Sequence, residues 1–478
     1  MTPPSDVAVL NGVKTESREY FERRSLKKGA VSWVLLMSLG IAYVVSGDFS
    51  GWNFGIAYGG WLGMVIAFVV MGAMYLFMAL GLAEMSSAMP TAGAGYGFAR
   101  RAMGRVGGAL TGFAILIEYT ICPAAISTFI ASYVQALNLL PGVPAEAIIA
   151  FFFIVFVGIH LLGAGEALKI VFGITAIAMV ALIAFFVGMA PHFEAANLFD
   201  IAPTAGNSVW LPFGFEGVLA ALPFGVWLFL AIEGVPLAAE ESANPKRDLP
   251  RGILGAIGVL MLTGALVVVL TAGGAGALFA GEAGAPLVDA LNEVGEGSLA
   301  VFVNYVGLAG LVASFFSTVF SGSRQAFALS RAGYLPKFLS ITGSRKTPYI
   351  ALLVLGSIGF ILAAFVGHGD ILLNMAVFAA CVSYAMMNLS HIILRKKEPN
   401  MERGFVAPGG VVLTGISFVL SLVAIVSTFV VDSFAAGCTL VVMVVLMAYF
   451  FLYSRKHLVG NAPEEEFAAL QAAESELK

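Results

Sequence analysis

The chain has 478 residues, 59% of them hydrophobic and only 11% charged, with a mean hydropathy of +0.94. A soluble globular domain carries about 25% charged residues, and at this length it could not hide so much apolar surface. A cytosolic enzyme, a disordered chain and a nucleic-acid-binding protein are thereby excluded, which leaves a polytopic all-α membrane protein in contact with the lipid bilayer. The formal charge of −4 carries no message about partners. Cys122, Cys381 and Cys438 lie in apolar runs without CxxC spacing, and the five histidines are scattered. Neither a disulfide framework, a zinc site nor any other cofactor is expected.

A helix that crosses the hydrocarbon core needs about 20 mostly apolar residues. In chain order such runs lie near 31–58, 61–82, 107–134, 146–162, 168–189, 217–237, 252–276, 299–325, 349–367, 371–394, 409–430 and 434–454, which makes twelve transmembrane helices. A tail (1–29) precedes the twelve-helix domain (30–455), and a second tail (456–478) follows it. The first apolar run has no small-residue cleavage site and is expected to be a retained helix. All 25 lysines and arginines fall in the tails, in the even-numbered loops or, for Lys169 and Arg324, at the span ends that adjoin those loops, and the odd-numbered loops hold none. Twelve crossings put every one of these charges on one side, so both termini are expected in the cytoplasm.

Two runs interrupt themselves. Span one reads Val44-Val45-Ser46-Gly47-Asp48-Phe49-Ser50-Gly51-Trp52, and span six reads Phe229-Leu230-Ala231-Ile232-Glu233-Gly234-Val235-Pro236. Irregular backbone at membrane depth is tolerated only where it lines a cavity or is buried in protein. Paired interruptions at equivalent positions of two halves point to a substrate site at the midplane. The pattern predicts a 5+5 inverted repeat, over 31–189 and 217–394, with helices 1 and 6 broken and 409–454 added.

Three further segments carry a resemblance. Met89-Pro90-Thr91-Ala92-Gly93-Ala94-Gly95-Tyr96 with Ala99–Gly104, Glu233 with Ala239–Gly252, and Ser323-Arg324 through Ser330–Lys337 are similar to loops of the amino acid–polyamine–organocation permeases. The likeness covers roughly residues 30–400. Within that superfamily, Ser46–Gly55 most resembles the bacterial ethanolamine permeases. The resemblance implies a multi-pass carrier in a bacterial inner membrane, importing a small molecule by alternating access.

Carriers of this architecture hold a substrate carboxylate on bare amides of helix one. Asp48 beside that cradle would repel a carboxylate and attract an ammonium, which suggests ethanolamine or a similar small amine as substrate. Capping of the second half of helix one is the alternative role for Asp48. Ser46, Gly47 and Phe49 flank it, and Phe229, Ala231, Ile232 and Glu233 form the facing break. Glu118 and Tyr119 add an acid and a hydroxyl deep in span three; ionisable groups at such depth are functional candidates by default. Three acids and one monovalent cation do not balance, so a closed site holds at least one of them protonated. Proton coupling through Glu118 or Glu233 is the resulting hypothesis. Ser314, Ser317 and Thr318 are secondary candidates for a sodium site. The alternative substrate is an amino acid, with Asp48 a structural cap. A membrane enzyme would need a metal cluster or an activated nucleophile, and no His-rich motif or GxSxG is present.

Overall fold

The computed structural model describes residues 31–459 apart from 92, 138–140 and 163, together with 9–10 and 13–14. The expected tails therefore lie largely outside the described residues. Two two-residue strands, β1 (Val9–Leu10) and β2 (Val13–Lys14), pair antiparallel. Everything else of regular structure is helical. In order come α1 (Trp33–Phe49), α2 (Phe54–Ala88), α3 (Ala94–Ala136), α4 (Ala145–His160), α5 (Ala164–Met189), α6 (Gly214–Trp227) and α7 (Pro245–Ala275). Then follow the short α8 (Ala277–Glu282) and α9 (Pro286–Glu293), and α10 (Gly297–Arg331), α11 (Tyr349–Val366), α12 (Gly369–Lys397), α13 (Gly410–Val431) and α14 (Ser433–Leu452). Five short 3-10 segments join them, among them Ile232–Glu241 between α6 and α7.

Among the described residues, ten helices are long and apolar enough to cross a membrane. At the places of expected spans one and four stand shorter apolar helices, α1 with 17 residues and α4 with 16. The first is short because its run is cut: α1 stops at Phe49, Gly51 takes φ +95°, and helix resumes at Phe54. Expected span six is cut as well. The α6 helix ends at Trp227, Ala231 adopts a left-handed conformation with φ 80°, and the chain continues as 3-10 turns that include Pro236. The outer loop segments 277–282 and 286–293 form α8 and α9.

The two cuts face each other near the middle of the bundle. α1 packs on α7, α10 and α5, while α3 packs on α12, α10, α11 and α4. A Cβ at Gly47 would stand 3.0 Å from the Trp227 carbonyl oxygen, so α1 meets the end of α6 backbone to backbone. Small residues at such crossings allow this approach.

Candidate functional site

Broken backbone needs partners, because no water is present at this depth to serve it. Here side chains supply them. The last carbonyls of α1 accept from three donors: Trp52 Nε1 on Asp48 O at 3.2 Å, Tyr133 on Phe49 O at 2.7 Å and Trp227 Nε1 on Ser50 O at 2.9 Å. Gly51 N–H donates to Asn53 Oδ1 at 3.2 Å. Higher in α1, Ser46 N–H donates to Ser314 Oγ at 2.9 Å, and that hydroxyl donates to Ala42 O at 2.5 Å. Ser314 thus stands inside the helical ladder of α1.

The second break is held by tyrosines. Tyr119, on α3, donates toward Ala231 O at 3.2 Å and toward Glu233 Oε1 at 2.9 Å. Tyr384, on α12, accepts from Ala231 N–H at 3.5 Å and donates to Glu118 Oε1 at 3.4 Å. Tyr75, on α2, donates to Tyr384 at 2.8 Å, and Tyr43, on α1, donates to Gly234 O at 3.5 Å and touches Ser321. The structure therefore gathers Glu118, Tyr119, Ala231 and Glu233 into one buried cluster. Phe229 lies at its edge, its ring 5.5 Å from that of Tyr75 and 5.4 Å from Phe68. Ile232 is buried and turns toward α1, near Gly40.

Asp48 is not part of this cluster. It follows Tyr43 by five residues, about 140° around a helix of 3.6 residues per turn, and faces α7. A Cβ at Gly264 would lie 3.6 Å from Asp48 Oδ1 and 3.0 Å from the Phe68 ring. Thr263 stands beside the carboxylate while donating at 3.4 Å to its own helix at Leu260 O. Nor is Asp48 a cap. It sits within α1, ahead of the irregular segment, and no backbone N–H bonds to its carboxylate. Asp48 is 0% exposed, and neither carboxylate oxygen has a hydrogen-bond partner. Glu118 Oε2 and Glu233 Oε2 have no donor from any other residue, and the two carboxyl groups pair with each other.

Several expected roles are reassigned by these contacts. The Phe49 ring fills a notch on α10, where a Cβ at Gly307 or Gly310 would lie 2.6 or 2.3 Å from it. Ser317 and Thr318 hydroxyls donate to carbonyls of their own helix, at 2.7 and 2.8 Å, and Ser314 is committed to α1. Among the described residues no group of three or more His, Cys, Asp or Glu could hold a metal ion. Tyr43 and Tyr75 went unnoticed in the sequence. Their one signal is a hydroxyl-bearing ring inside an apolar run, which when buried finds a polar partner.

Access differs at the two ends. A cavity of ≈ 360 Å³ reaches Ser50 and Phe54 at the first break, and Glu146, Glu282 and Asp370 stand in its wall. On the opposite side, buried Arg324 pairs with Glu241 at 3.0 Å, and Arg331 pairs with Glu240 at 2.6 Å.

Two opposed helix breaks around buried carboxyls are the architecture of a membrane carrier, and the comparison with known proteins agrees. The profile of the amino acid permease family matches residues 34–460. The chain belongs to this family. It is 28% identical over 418 residues to the branched-chain amino acid permease BcaP of Bacillus subtilis, covering 83% of this chain and 86% of the relative. It is also 28% identical over 424 residues to a methylthioribose transporter of Bacillus subtilis, covering 83% and 87%. An aromatic amino acid transport protein, AroP, of Escherichia coli is 25% identical over 361 residues, covering 72% and 76%. The chain is thus a multi-pass transporter of small molecules and not an enzyme. The relatives' names favour the amino acid alternative over ethanolamine.

Proposed function

We propose that this permease is a secondary carrier that imports a small substrate by its ammonium group, alternating access around Ser50–Asn53 and Leu228–Ala231. Its twelve helices would form a 5+5 inverted repeat with both termini in the cytoplasm of a bacterium, the arrangement that puts all 25 Lys and Arg on one side. The relatives support an amino acid as the substrate. One observation supports a carboxylate-free amine instead: three buried carboxyls meet no basic group, Asp48 having only Thr263 beside it and Glu118 and Glu233 having each other and tyrosine hydroxyls. Of the amides at the breaks, those of Gly51 and Ala231 are engaged by side chains. Ethanolamine is the amine to test first. Asp48 would take the ammonium, with Phe68 and Phe229 offering ring faces, and the Glu118–Glu233 pair would carry the coupling proton.

The test is ligand-induced thermal stabilisation of the purified protein with ethanolamine, choline, alanine and leucine, repeated on Asp48→Asn. A ligand that binds only the folded state raises its stability in step with affinity. Stabilisation by ethanolamine that disappears in a folded Asp48→Asn variant supports the amine reading. Stabilisation by alanine or leucine that survives the substitution moves the protein to the amino acid carriers.

A further inference from the structure

The carboxyl pair and the second break compete for one hydrogen. Tyr119 has a single O–H and two acceptors, Glu233 Oε1 at 2.9 Å and Ala231 O at 3.2 Å. Ala231 is a strained place for a non-glycine residue. Its φ of 80° puts an alanine where the left-handed conformation costs about 1–2 kcal/mol. Such a conformation persists when its surroundings over-determine it. Here the surroundings are Tyr119 on the carbonyl side and Tyr384 on the N–H side. Both come from helices, α3 and α12, that pack against each other and not from the broken segment itself.

We infer that Tyr119 is a positioning residue that converts the protonation of Glu233 into the conformation of the break at Ala231. The inference rests on the proton-coupled reading above. An ionised carboxylate is the stronger acceptor; it draws the Tyr119 hydrogen to Glu233 and leaves Ala231 O without its donor. A proton arriving from solvent forms one new O–H bond on the carboxyl pair and weakens Glu233 as an acceptor. The Tyr119 hydroxyl then rotates onto Ala231 O and secures the left-handed turn. No other covalent bond changes. Tyr384 supports the same turn, since its hydroxyl receives from Tyr75 and Ala231 N–H and gives to Glu118.

The groups that face the pair leave it this role. They are Tyr43 from α1, Tyr75 from α2, Tyr119 and Cys122 from α3, and Cys381 and Tyr384 from α12. Further along, Arg324 approaches Tyr43 but is bound to Glu241. Among these groups the two glutamates are the ones with an oxygen that no residue outside the pair serves, where a proton is received.

The test reads pH profiles of uptake into proteoliposomes, each normalised to its own maximum so that a general loss of activity does not enter. Tyr119→Phe keeps the ring and removes the shared hydrogen; its profile is expected to flatten. Ala231→Gly removes the strain, so the turn no longer needs that hydrogen, and its profile is expected to flatten as well. A wild-type profile in folded Tyr119→Phe, or in Ala231→Gly where the first variant does not fold, overturns the role of Tyr119. A wild-type protein whose uptake ignores a pH gradient overturns the proton-coupled reading itself, and it does so before any variant is made.

Discussion

Ser314 bonds into another helix's backbone ladder. Its hydroxyl takes the N–H of Ser46 and gives to the carbonyl of Ala42, two groups one turn apart on α1. A side chain inserted in this way is one of the recognised causes of a bend. Removing it takes one hydrogen bond from each of two buried backbone groups that keep their helical partners, a net loss of about 0.5–1.5 kcal/mol per bond. Ser314→Ala is therefore expected to lower stability by about 2 kcal/mol, measured as a drop in the unfolding midpoint in detergent. The drop should be the same in sodium and in potassium chloride, because the two bonds from Ser314 to α1 involve no cation. A deficit present only in sodium would restore the cation site expected from the sequence. Asp48 behaves differently from Ser314: it has surroundings but no bond, the condition of a group that waits for a ligand or a proton.

At the scale of helices, the interruptions were legible because glycine, serine, acid and proline inside an apolar run have few structural explanations. Their positions were less so. The sequence marks 44–52, yet helix persists to Phe49 and yields only at Ser50–Asn53; turn residues announce a break without saying which peptide turns. What sequence could not show was partnership. Glu118 and Glu233 are 115 positions apart, and only the packing of α3 on the broken segment makes them neighbours. Asp48, two residues from the break, faces away from both because the rotation of α1 decides it. Phe49 shows the same limit. An aromatic beside the break reads as a substrate contact, but its ring fills the notch of Gly307 and Gly310 on α10. A Cβ at Gly310 would sit 2.3 Å from that ring, and overpacking of this kind costs about 1–3 kcal/mol. Gly310→Ala should accordingly lower the unfolding midpoint, and Phe49→Leu in the same chain should recover most of the loss. Equal loss in the single and double variants would show that the notch is not what fixes the α1–α10 crossing.

At the scale of the molecule, the two ends are built from different forces. The end that holds no Lys or Arg in its loops carries a cavity reaching the first break, with Glu146, Glu282 and Asp370 in its wall. The other end carries buried ion pairs. Arg324 and Glu241 are 1% and 0% exposed, and the guanidinium also lies 4.1 Å from the centre of the Phe320 ring. Removing one partner of such a pair strands a buried charge, at about 3–5 kcal/mol. The pair joins α10 to the far end of the 3-10 segment that begins at Ile232, so it holds the same strand of chain whose near end carries Ala231 and Glu233. Cutting it should free that segment to swing and open the Lys- and Arg-rich side. The chain carries its own reporters of this motion, since Cys122 and Cys381 are buried beside Glu118 and Glu233. With Cys438 replaced by serine, Arg324→Ala should raise labelling of these two cysteines by a membrane-impermeant maleimide applied from the Lys- and Arg-rich face. Labelling that rises only from the opposite face, or not at all in a folded variant, would mean that the ion pair staples the fold and does not gate it. A rise that is reversed by the transported substrate would tie the inner ion pair to the same conformational cycle as the two breaks, because a ligand shifts an equilibrium only by binding one state better than the other.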